Sequence, residues 1–103
     1  MSEKWRRFGE HIESAPGRLS SEVRGVLRAN AAGTAVSAEA AAPELTAFAE
    51  LVANRSYRVT EQDVTALKAA GHSDDEIFEA AAAAAYGAAD RRYRAARQAW
   101  EGR

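Results

Sequence analysis

The chain has 103 residues, no cysteine and a formal net charge of −1. That length fits a single domain spanning 1–103. The missing thiols exclude disulfide staples and cysteine nucleophiles, and the near-neutral balance argues against a domain that binds by neutralising nucleic-acid phosphates. The apolar fraction of 47% is largely alanine, which buries little area per residue, so a lone subunit is expected to be thinly cored and a homo-oligomer is expected.

No apolar run reaches bilayer length, and Met1 to Arg7 leads into mixed charge instead of a signal core. The expectation is a cytoplasmic protein with no membrane contact.

Trp5, Phe8 and Ile12 recur at helical spacing, with Glu3/Arg7 and Arg6/Glu10 as opposite charges four apart, which predicts a short amphipathic first helix. Ala15-Pro16-Gly17 breaks it. A second helix is predicted from Ser20 through Val23, Val26 and Leu27 to Gly33. From Thr34 to Ala42 the only large side chain is Val36, and the segment reads as a loop or a weak helix. Pro43 suits the first turn of a third helix, whose apolar stripe is Leu45, Phe48, Leu51 and Val52 and whose stop lies near Asn54.

The fourth helix has two causes for its start: Thr60 with Asp63 as a capping box, and Val59 with Val64 as a hydrophobic staple. It ends at Gly71. Ser73 with Glu76 forms a second capping box, and Asp74 and Asp75 place negative charge where the helix dipole favours it. From Asp74 nothing interrupts the pattern until Gly102, so the fold class is all-α: five helices ending in a long alanine-rich one.

The ordered motifs Leu45-x-x-Phe48, Val59-Thr60-x-x-Asp63-Val64-x-x-Leu67-x-x-Ala70-Gly71, Ser73-Asp74-Asp75-Glu76-Ile77-Phe78-Glu79 and the small-residue run ending at Arg91-Arg92 resemble the C-terminal part of the alkylhydroperoxidase D-like and carboxymuconolactone decarboxylase superfamily. The likeness covers residues 45–96. It implies an oligomeric helical bundle assembled as dimers, trimers or rings. In that family the redox activity is tied to an upstream Cys-x-x-Cys with a nearby histidine and glutamate; here the upstream stretch, Arg28 to Ala42, holds neither cysteine nor histidine. Thiol peroxidase chemistry therefore does not carry over. The decarboxylase branch does not depend on cysteine.

Ala80 to Ala85 run without interruption, and small side chains let helix backbones approach closely. Ala81, Ala84, Ala85 and Ala88, with Tyr86, Tyr93 and Trp100 at seven-residue spacing, are the candidate subunit interface; close packing inside one subunit is the competing reading. Arg55, Tyr57 and Arg58, with Glu50 or Asp63 as a base and His11 as a further candidate, would suit a small anionic ligand; the competing reading is a packed tyrosine ring and solvated arginines. His11 and His72 have no metal-ligand spacing, and no cofactor or metal is expected. A helix-turn-helix reading about Gly71 is disfavoured because Asp74-Asp75-Glu76 would face the phosphates.

Three functions follow in order of preference. The first is a non-redox oligomerisation or accessory binding module with a possible protein partner. The second is an acid–base enzyme acting on a small carboxylate or lactone between subunits. The third is a DNA-binding protein.

Overall fold

A computed structural model describes residues 3–34 and 39–102. It contains α1 (Glu3–Ser14), α2 (Ser21–Ala31), α3 (Pro43–Arg55), a 3-10 turn (Ser56–Arg58), α4 (Glu61–Ala69) and α5 (Asp74–Glu101). Among the described residues there is no strand, and the fold is all-α with five α-helices and a long C-terminal one. Of the stretch read as a loop or weak helix, residues 39–41 form turns and a bend, while 35–38, Val36 included, lie outside the described residues.

The helix boundaries follow from local chemistry. The Ser20 hydroxyl accepts from the Val23 amide at the start of α2. Thr60 and Ser73 each complete a reciprocal capping box, with Asp63 and Glu76 respectively. Gly33 (φ 87°) and Gly71 (φ 102°) take left-handed backbone after α2 and α4, a conformation that carries a steric cost for any residue with a Cβ.

The long helix α5 organises the rest, touching each of the other four α-helices. The core is thin in large side chains: Leu19, Leu27, Leu45, Phe48, Leu67 and Ile77 stand among alanines, of which Ala80, Ala83 and Ala84 are wholly buried. Small side chains make this arrangement possible. A Cβ at Gly87 would lie 2.2 Å from the Arg28 carbonyl oxygen, so α2 and α5 approach at a point only glycine permits. Gly9 does the same for α1, since a Cβ there would lie 2.4 Å from the Tyr86 ring.

Polar side chains then tie the helices end to end. Glu79 accepts from the Arg18 and Leu19 amides at 2.9 and 2.8 Å, fixing the α1–α2 connection to α5. The buried Arg24 donates to the Ile12 carbonyl at the end of α1 (2.9 Å). Arg92 and Arg94 reach the carbonyls of Ala53 and Ala32 at the ends of α3 and α2 (3.1 and 3.2 Å). Cations thus meet the negative helix ends of neighbours.

Candidate functional site: the outer face of the long helix

The alanine seam lies partly within the chain. Ala84 and Ala88 are buried, as is Tyr86, and all three are covered by the chain's own helices. The expectation that they face another subunit is therefore corrected. Tyr86 turns inward because Gly9 leaves room for its ring, which stacks on Trp5 (centroids 4.6 Å) and stands edge-on to Phe8 (5.9 Å). Its hydroxyl donates to the Trp5 carbonyl at 2.9 Å, and burial pushes its pKa up, with the Asp90 charge adding to the effect. Of the other interface candidates, Ala81 and Tyr93 are half-buried, and Ala85 and Trp100 are exposed.

Three sides of α5 are occupied. Tyr86 and Asp90 face α1, Gly87 and Arg94 face α2, and Arg91 and Arg92 reach Asn54 and Ala53 of α3. The remaining side carries Phe78, Ala82, Ala85, Ala89, Tyr93, Ala96 and Trp100, all exposed or half-buried. At 3.6 residues per turn these seven fall within an arc of roughly 80° and run for about 33 Å along the helix. Phe78 is 72% exposed and Trp100 49%. Tyr93 and Trp100 meet edge-on with centroids 6.3 Å apart.

The four-residue alanine rows include Ala89 beside Ala81 and Ala85, but neither they nor the seven-residue aromatic row picks out Phe78, Ala82 and Ala96. The signal was an eleven-residue repeat, Phe78/Ala89/Trp100 with Ala82/Tyr93 and Ala85/Ala96, in place of the seven-residue spacing of Tyr86, Tyr93 and Trp100. Eleven residues are close to three turns of a straight helix, whereas a seven-residue row drifts round it, and here the drift carries Tyr86 into the core.

The candidate ligand residues do not converge. Arg55, Tyr57 and Arg58 are all exposed around the 3-10 turn, Tyr57 by 83%. His11 is exposed on α1, which makes no contact with α3 among the described residues. Glu50 borders a cavity of about 60 Å³ with Asn30 and Asn54. Asp63 is engaged in capping Thr60.

Two larger concavities are lined by other residues. A groove of about 500 Å³ between α1, α2 and α5 has Trp5, Tyr86 and Tyr93 in its wall. Its charges are internally matched: Arg6 with Glu3 and Glu10, Arg28 with Glu13 (2.7 Å), Arg94 with Asp90 (3.2 Å) and Arg97 with Glu101 (2.9 Å). Such a groove offers little net charge to an ionic ligand. A cleft of about 270 Å³ between α3 and α4 is mainly apolar, walled by Ala47, Phe48, Leu51, Ala66 and Leu67.

His72, between α4 and α5, reaches across to α3. Its Nε2 donates to Glu44 Oε1 at 2.9 Å and its Nδ1 lies 4.0 Å from Glu76. That hydrogen bond, then the Glu44 backbone amide, holds the Glu44 carboxyl below its ordinary value. None of the helices described is long and apolar enough to cross a membrane.

Compared with family models, with curated proteins and with solved structures, the chain finds no match.

Proposed function

We propose that the chain is a non-redox helical oligomerisation or accessory binding module that associates through the outer face of α5. One observation carries the reading: a straight apolar stripe with an aromatic side chain at each end lies along the longest helix, on the side where the described residues leave it exposed or half-buried. Burying one such aromatic contributes about 1.5–3 kcal/mol. Alanines between the aromatics let a second helix come close enough for dense packing. The thin core and the resemblance of residues 45–96 to an oligomeric helical superfamily support the same reading. Thiol-based peroxide reduction is outside its scope, because the chain has no cysteine.

Light scattering across a dilution series tests this. The native chain is expected to have more than one subunit's mass at high concentration and to dissociate on dilution. Ala85→Arg places a charge in the stripe at an exposed position and should lower the mass while leaving helicity unchanged. A native chain of single-subunit mass throughout the series would overturn the reading.

A further inference from the structure

Resting on that self-association, we infer its geometry: two copies pair their α5 helices antiparallel, with the two-fold axis at Ala89. The occupant of the stripe is a second copy of this chain, and both size pattern and charge set its direction.

The stripe is nearly symmetric about Ala89, which lies eleven residues from both Phe78 and Trp100. Run antiparallel about that point, Phe78 of one copy meets Trp100 of the other, Ala82 meets Ala96, and Ala85 receives Tyr93. Every large side chain then has either an aromatic partner at the rim or an alanine hollow beneath it, and Ala89 meets itself at closest approach. A parallel pair would set Tyr93 against Tyr93 and Trp100 against Trp100, holding the helices apart and leaving the alanines with nothing to touch.

Charge favours the same direction. The first half of α5 carries Asp74, Asp75, Glu76 and Glu79 without a cation, and the second half carries Arg91, Arg92, Arg94 and Arg97 against Asp90 and Glu101. Asp74 and Asp75 remain 77% and 73% exposed despite their contacts with Lys68 and Arg18. Antiparallel pairing opposes the two helix dipoles and sets Glu79 of one copy two residues along the axis from Arg97 of the other, the one arginine of the four not turned toward α2 or α3. Parallel pairing stacks like on like.

The cysteine-free sequence makes the test direct, because any introduced thiol is the sole one in its subunit. Helix axes about 8 Å apart bring two Ala89 positions within disulfide reach at the axis. Under mild oxidation A89C should form a disulfide dimer. A82C and A96C should stay unlinked alone and link to each other when mixed, and added salt should slow every linkage. Self-linking of A82C and of A96C as readily as A89C would overturn the antiparallel direction. No linkage in any variant, with light scattering still showing dimers, would overturn the register and leave self-association standing. Single-subunit mass would instead refute the reading on which this geometry rests.

Discussion

Replacing Gly87 by alanine should destabilise the chain although it removes glycine from the middle of a helix. In isolation that change favours the helix by about 1 kcal/mol. Here the new Cβ would lie 2.2 Å from the Arg28 carbonyl oxygen, 2.8 Å from the Ala31 Cβ and 3.1 Å from the Ala32 amide nitrogen, the first and last of these being backbone. Ordinary contact needs about 1 Å more. The end of α2 must withdraw, loosening Leu27 and Ala31 and stretching the Arg94 bond to the Ala32 carbonyl.

Overpacking of this kind costs about 1–3 kcal/mol, and with backbone as the obstacle the upper end applies, so a net loss of about 1–2 kcal/mol is expected. Gly25→Ala is the matched control. Its Cβ would meet Glu13 Oε1 at 2.8 Å, the movable end of a side chain whose pair with Arg28 is partly exposed, so it should fall within about 1 kcal/mol of the native chain. Urea unfolding with unchanged slope reads both. A Gly87→Ala chain as stable as the native one, or a Gly25→Ala chain that loses just as much, would refute the claim that backbone contact at the α2–α5 crossing requires glycine.

Glu79→Gln keeps one amide acceptor where the carboxylate holds two and should cost about 1–2 kcal/mol, with faster hydrogen exchange at the Arg18 and Leu19 amides. Ser73→Ala removes half of the α5 capping box and should cost about 1 kcal/mol by thermal unfolding. Because the folded chain holds the Glu44 carboxyl below its ordinary value, the unfolded chain binds that proton first as pH falls. Its stabilising contribution is present above the unfolded-state value and fades as pH drops through the folded one. Glu44→Gln should therefore flatten the acid limb of the stability curve; an unchanged limb would show that the His72 contact does not couple to folding.

Helix starts were legible because caps are local: Ser20, Thr60 and Ser73 each act on an amide three residues away, so their effect is written in adjacent sequence. Pro43 and the left-handed Gly33 and Gly71 are legible for the same reason. The faces of α5 were not. Six consecutive alanines give no contrast between inside and outside, and the inward turn of Tyr86 depends on Gly9, seventy-seven residues earlier. The arginines crowding the C-terminal half of α5 are visible in the sequence. That they satisfy the ends of α2 and α3 depends on where those helices stop in space.

The claim on which the account turns is that a neighbour covers the outer stripe of α5, and Trp100 reports on it directly. In a Trp5→Phe chain Trp100 is the sole indole. Its emission should be blue-shifted when the chain is concentrated and move to the red on dilution, in step with the fall in mass. Red-shifted emission that stays constant across the series, at single-subunit mass, would contradict the account.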